Sequence, residues 1–251
     1  MRVLILLLLI SLGACARSSA DLGAQDPLMD GPDDLGVDGP LMDPAEAVVA
    51  VQQSPKPSRP VPTIAYFPES FYEPSLQCDE RVGGLQPVLS VVEKSWYPEQ
   101  LDAAGEPSLY LLSQTNRPRG QESLRFTWLP TFHHPVVVRI ETLDDGNQKL
   151  IATRLSGEGG YDPGEVRDRI ERMLTPAESR RLEKVLNQTR IFGLPSTLCA
   201  DGGADGAQWI FEAADASGYH FVHRWSPRKG EARKMGLFLL SLTGWTFETV
   251  Y

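Results

Sequence analysis

Between Thr175 and Trp245 the apolar period switches from helical to alternating and back to helical, and only a mixed α and β architecture accommodates that succession. Thr175-Pro176-Ala177-Glu178 is a helix start, with a capping hydroxyl, Pro at the first helical position and Glu at the third. Leu182, Val185 and Leu186 then face inward, Arg180, Arg181, Glu183 and Lys184 face water, and Gly193-Leu194-Pro195 ends the helix. After an acidic turn, Trp209 and Phe211 alternate with Gln208, Ile210 and Glu212; Asp215 to Gly218 reverses the chain; and Tyr219, Phe221, His223 and Trp225 alternate with His220, Val222 and Arg224. The spacing predicts a hairpin whose aromatic residues make one core face. Met235, Leu237, Phe238, Leu239, Leu240 and Leu242 then predict a helix apolar on nearly all sides, hence deeply buried. Gly244 caps it, and residues 245–251 read as a last edge strand.

The preceding segment alternates at period two. Leu124, Phe126 and Trp128 are interleaved with Arg125 and Thr127, and Val136, Val138 and Ile140 with Val137, Arg139 and Glu141. Asp144-Asp145-Gly146-Asn147 has the chemistry of a hairpin turn, and Leu150 to Leu155 returns as a third strand. Asp162-Pro163-Gly164-Glu165 reads as a helix cap, with Val166, Ile170 and Met173 at helical spacing behind it. Nearer the N-terminus, Pro87 to Lys94 predicts a short helix, Pro98 to Ala104 another helical turn or two, Ser108 to Ser113 a strand, and residues 63–86 an irregular arm. The expected fold is one α+β domain over residues 63–251, an antiparallel sheet of about five to six strands with helices on one face, in the order βββ-α-ββ-α.

The N-terminus has a different character. Arg2 precedes an apolar run from Val3 to Leu12 that is too short to span a bilayer, for which about 20 apolar residues are needed. Leu12-Gly13-Ala14-Cys15 follows, small residues before a cysteine. This resembles the lipobox of bacterial lipoproteins. The resemblance implies that residues 1–14 are a signal peptide, that Cys15 is lipidated and becomes the mature N-terminus, and that Ala16, not being Asp, favours the outer membrane over the inner. Residues 15–62 are rich in Asp, Gly and Pro, with no basic residue between Arg17 and Lys56, and bury too little apolar surface to offset their ordering entropy. They predict a disordered tether, containing a short repeat (Pro27-Leu28-Met29-Asp30, then Pro40-Leu41-Met42-Asp43) and ending in a Pro-rich spacer. The partners expected are the membrane, through the lipid, and an envelope protein or polymer.

A formal net charge of −9 argues against a nucleic-acid partner, whose phosphates require a basic surface. With Cys15 lipidated, the three cysteines leave Cys78 and Cys199. In an oxidising compartment an even remainder is a candidate disulfide, beside the alternative of two separate thiols.

Two constellations are candidate sites. If the last hairpin places Glu212 opposite His220, then Gln208 falls opposite Arg224, and an acid, an imidazole and a guanidinium line one surface, a set suited to general acid–base chemistry. The alternative is a polar face that satisfies itself. Asp201, Asp205, Gly206 and Glu212 occupy positions 1, 5, 6 and 12 of a calcium-loop pattern. Gly203 at position 3 and Gln208 at position 8 depart from it, and Pro195 keeps a helix from entering, so a Gly-rich turn feeding a strand is preferred. Adjacent His133 and His134 point to opposite faces if they lie in a strand, and read as a polar turn. The glycines at 157, 159, 160 and 164 match no nucleotide fingerprint, and no cofactor site is evident.

Asp205-Gly206-Ala207-Gln208-Trp209, Glu212, Tyr219-His220, Arg224-Trp225-Ser226-Pro227, Phe126-Thr127-Trp128-Leu129 and Gly159-Gly160-Tyr161-Asp162-Pro163-Gly164 together resemble patterns in bacterial proteins of unassigned activity. That resemblance spans about residues 90 to 245 and implies no function. The expected function is a membrane-anchored envelope lipoprotein with a non-catalytic binding or structural domain. The alternatives are an envelope hydrolase using Glu212 and His220, and a weak calcium module at Asp201 to Glu212.

Overall fold

The computed structural model describes residues 62–115 and 121–251. The expected signal peptide over 1–14, the lipidation site Cys15 and the tether through residue 61 lie outside the described residues.

An arm opens the domain, with a 3₁₀ turn at Glu69–Tyr72 and a two-stranded ladder of β1 (Leu76–Gln77) and β2 (Leu85–Gln86). Helices α1 (Val91–Ala103) and α2 (Leu109–Ser113) follow. The main sheet is built from β3 (Ser123–Pro130), β4 (Val136–Thr142), β5 (Gln148–Leu155), β6 (Val166–Met173), β7 (Ala207–Asp215) and β8 (Gly218–Trp225). Helix α3 (Pro176–Thr189) lies between β6 and β7, and α4 (Glu231–Leu242) follows β8. The six strands run β6-β5-β4-β3-β7-β8, each antiparallel to its neighbours, so the chain has the mixed α+β class its patterning predicts.

Local chemistry accounts for the elements. Thr175 and Glu178 close a reciprocal capping box on α3. Ser90 and Glu93 do the same on α1, which runs as one helix through Pro98 where the sequence suggests two short pieces. Gly146, at φ +80°, turns β4 into β5, and the Asp145 carboxylate accepts from the Asn147 N–H at 2.9 Å.

Three elements differ from expectation. Residues 166–173 form strand β6 rather than a helix. Val166 and Ile170 are four apart, a spacing that keeps two residues on one face of either element, and pairing with β5, which sets Ile170 opposite Ala152, selects the strand. β6 is an edge strand carrying Arg167, Asp168, Arg169, Glu171 and Arg172, and such charges discourage further pairing. Ser108–Ser113 is not a strand: the Ser108 hydroxyl accepts from the Leu111 N–H and starts α2, in an apolar run with no period to distinguish the two. Residues 245–251 are not a strand either. They cross the core as coil, with the Tyr251 carbonyl accepting from Trp209 Nε1 at 2.8 Å and Phe247 set edge-on to Trp128.

Helices cover both faces of the sheet rather than one. On one face Leu182 and Val185 of α3 and Met235 and Leu239 of α4 pack on Phe126, Val138, Leu150 and Phe211. Gly236 lets α4 pass over Trp209, because a Cβ there would lie 2.2 Å from the indole. On the other face Tyr66, Phe67, Leu89, Tyr97 and Leu101 cover Leu129, Val137, Ile210 and Phe221. The polar residues interleaved along the strands are therefore buried: Arg125, Thr127, Arg139, Thr153, Gln208, Glu212 and His223 lie inside the protein. The aromatic alternation of the last hairpin is divided as well, Trp209 and Phe211 facing α4 while Phe221 joins the cluster around α1. Cys78 and Cys199 form a disulfide with their Cα atoms 5.6 Å apart, joining the β1–β2 arm to the segment before β7.

Candidate functional site

The register of the last hairpin separates the expected acid–base set. Asp215 pairs with Gly218, so only Ala216 and Ser217 lie in the turn, and Glu212 stands opposite Phe221, not His220. Gln208 stands opposite Trp225, not Arg224. His220 shares a face with Ala213, the reverse of the one Glu212 occupies. Its Nε2 contacts the Ser217 hydroxyl at 2.9 Å and the Asp215 carboxylate at 3.3 Å, both beside the turn. Arg224 donates to the carbonyls of Pro195 at 2.7 Å and His223 at 2.6 Å and so ties down the loop after α3.

Glu212 belongs to a buried ionic lattice that the sequence reading missed. Arg125 donates to it twice at 2.8 Å through Nε and Nη2, and the Tyr219 hydroxyl donates at 2.7 Å. Arg125 also donates to the Pro107 carbonyl at 2.6 Å and lies 3.6 Å from Glu106, which accepts from Arg139 Nε at 2.7 Å. Burial, with Glu212 beside it, holds the Tyr219 hydroxyl protonated well above its usual range. Glu212 and Glu106 are both engaged and sealed from solvent, which makes the lattice scaffold.

The calcium pattern is likewise dispersed. Glu212 is committed to Arg125, Asp201 Oδ1 accepts from the Trp225 N–H at 3.1 Å, and Asp205 is exposed. Among the described residues no group of three or more His, Cys, Asp or Glu is placed to hold a metal. His133 meets the Tyr251 hydroxyl and His134 the Gly157 carbonyl, 2.9 Å away. The glycine loop is structural: the Gly159 carbonyl accepts from Trp96 Nε1 at 2.6 Å, docking the loop on α1.

A cleft of about 670 Å³ does gather functional groups. Its walls are residues 86–90 with the first turns of α1 on one side and the segment around Leu198 to Gly203 on the other; Gln208, His223 and Trp225 form the floor. The capping box fixes Glu93, whose Oε2 accepts from the Ser90 N–H at 2.7 Å. Its Oε1 accepts from the Tyr97 hydroxyl at 2.7 Å and from Gln208 Nε2 at 3.4 Å, and lies 3.5 Å from His223 Nδ1. The Tyr97 hydroxyl also meets His223 Nδ1 at 3.2 Å. Two buried polar atoms of residues that line the cleft make no hydrogen bond, Asp201 Oδ2 and Gln208 Oε1, while the His223 ring is met by the Val88 carbonyl. Ala200, beside Asp201, is held at φ +56°, a left-handed conformation that disfavours a residue with a Cβ.

Burial pushes His223 down to about 4, helped by Arg224 and opposed by Glu93 and the Val88 carbonyl, so the ring is neutral at pH 7. Burial pushes the Asp201 carboxyl up, with Glu93 acting in the same direction and the Trp225 N–H and Arg224 against it. The histidine has a consequence for stability. Its folded value lies below the roughly 6.5 of an unfolded histidine, so on acidification the unfolded chain takes up the proton first. The His223 contribution to stability is complete above pH 6.5, falls by on the order of 3 kcal/mol as the pH drops towards 4, and changes no further below that. Urea titrations of the wild type and His223→Gln across that window check this: the difference between the two should shrink as the pH falls, and a constant difference would refute it.

Asp201 is the one residue of the cleft that the sequence marked as a ligand candidate. Gln208 and His223 read as parts of a hairpin, Glu93 as part of a short helix. The available signal for Glu93 was Ser90-x-x-Glu93, a capping box that fixes a carboxylate at a helix start. The chain matches no family model, and no curated protein is significantly similar to it, so the functional argument rests on the cleft.

Proposed function

We propose that this chain is a membrane-anchored envelope lipoprotein whose domain binds a ligand in the cleft and catalyses no reaction. The observation that carries the binding reading is the pair of buried, unpartnered polar atoms on Asp201 and Gln208. An unsatisfied buried polar group costs about 1–3 kcal/mol, and two beside one concavity are what a complementary ligand relieves. A non-catalytic role is favoured because Glu93, Tyr97 and His223 bond to one another and, among the described residues, no free nucleophile lines the cleft beside them. The lining hydroxyls of Ser90 and Thr197 are engaged with local backbone, Ser90 as a helix cap and Thr197 with the Leu198 carbonyl. The anchor rests on the apolar N-terminal run and the small residues before Cys15.

Fractionation of cells producing the wild type and Cys15→Ser tests the anchor. The wild type should sediment with membranes and the variant should not. Equal membrane association of the two would overturn the lipoprotein assignment.

A further inference from the structure

The chemistry of the cleft narrows the class of ligand, an argument that rests on reading the cleft as a binding site. Its lining carries two carboxylates, Glu93 and Asp201, and two indoles, Trp96 and Trp225, with no Lys or Arg. Asp201 spends one oxygen on the Trp225 N–H and leaves Oδ2 unpartnered. Gln208, 3 % exposed, turns its amide nitrogen to Glu93, which leaves Oε1 as an unused acceptor, whereas His223 is held by Tyr97, Glu93 and the Val88 carbonyl. Arg224, the guanidinium that acts on Asp201, is outside the lining and donates to the Pro195, Ser196 and His223 carbonyls.

We propose that the cleft binds a small organic cation bearing a primary ammonium, with Asp201 Oδ2 and Gln208 Oε1 accepting its N–H donors and Trp96 and Trp225 supplying aromatic surface. An ammonium presents donors only, which matches a lining whose free oxygens are acceptors. Indole faces attract organic cations and cover their carbon skeletons. An anion would meet two carboxylates with no cation in the lining to offset them. A neutral polyol would satisfy the acceptors but leave the charge of Asp201, in a partly desolvated place, to Arg224 alone, whose guanidinium is committed to backbone carbonyls. A bare divalent ion needs more oxygen ligands than the cleft brings together, and among the described residues no cluster of three or more metal-binding side chains occurs.

Calorimetric titration of the detergent-solubilised full-length protein tests this, with cadaverine and glucosamine as probes and 1,5-pentanediol and N-acetylglucosamine as their neutral counterparts. At least one amine should bind saturably and its neutral counterpart should not; which amine binds distinguishes a polyamine from an amino sugar. Asp201→Asn keeps the oxygen that accepts from Trp225 while removing the charge, and should weaken amine binding by at least about tenfold, the scale of one charge-assisted hydrogen bond. Asp205→Asn, an exposed carboxylate outside the lining, should leave binding unchanged and serves as the folded control. Equal binding of the neutral counterparts, or wild-type affinity in Asp201→Asn, overturns the ammonium assignment. Silence from both amines with saturable heat from anionic or neutral fragments overturns that assignment alone. Silence from every probe overturns cleft binding as well.

Discussion

Replacing Arg125 with Met will lower the unfolding free energy by about 3–5 kcal/mol, the usual cost of breaking a buried ion pair from one side. Arg125 and Glu212 face each other across β3 and β7, and neither side chain is exposed. Without the guanidinium, Glu212 keeps a single hydrogen-bond donor, the Tyr219 hydroxyl, and Glu106 loses the positive charge 3.6 Å away. The Pro107 carbonyl loses its donor too. Met fills much of the volume, so the loss comes from uncompensated charge rather than from a cavity. The double variant Arg125→Met/Glu212→Leu removes both charges and should be more stable than the single one, because desolvating the pair offsets most of its mutual attraction. Urea midpoints at constant slope give both numbers. A double variant no more stable than Arg125→Met would show that the pair is not the unit of stabilisation and that Arg125 acts through Glu106 and Pro107.

This lattice also shows where the sequence was legible. The capping box at Thr175–Glu178, the turn around Gly146 and the strand alternation each rest on neighbours within a few residues, and each appears in place. Burial of the second face does not. Arg125, Arg139 and Glu212 sit on the parity that a one-faced sheet would give to water. The counter-signal lay on the same strands: Val137 falls on the Arg139 parity and Ile210 on the Glu212 parity, and both are buried beneath the layer containing α1. The hairpin register turned on one residue. The Asp215 carboxylate accepts from the Ser217 and Gly218 N–H groups and tightens the turn to two residues, which sends Glu212 and His220 to opposite faces. The cleft was the least legible part, because its members have no common spacing: Glu93 and Gln208, in contact, are 115 residues apart. Asp201 stood out only through a metal pattern that the fold disperses.

Removing the disulfide, as Cys78→Ser/Cys199→Ser, should cost up to about 5 kcal/mol, the chain-entropy value for a bridge across 121 residues, and should also loosen the cleft. The second effect follows from where the bridge lies. Cys78 sits in the β1–β2 arm, its N–H bonded to the Gly84 carbonyl, and that arm runs directly into Gln86, Pro87 and Val88 on one wall. Cys199 lies between Leu198 and Ala200 on the other. Other ties hold the second wall: Arg224 on Pro195, the His223 N–H on the Ser196 carbonyl, and the Trp225 N–H on Asp201. Two of these fix the start of the segment and only the Trp225 N–H bond to Asp201 lies within residues 198–203, so without the bridge the residues around Ala200, already in a left-handed conformation, keep a single outside tie among those named against relaxing away from α1. The prediction is therefore a lower urea midpoint together with faster amide exchange at residues 198–203 than at the core strands. Thiol labelling of denatured protein before and after reduction provides the prior check: equal labelling would mean that Cys78 and Cys199 were never joined. If they are joined but exchange at 198–203 is unchanged in the double variant, the bridge stabilises the domain only through the unfolded chain, and the cleft wall is held by Arg224 and Trp225.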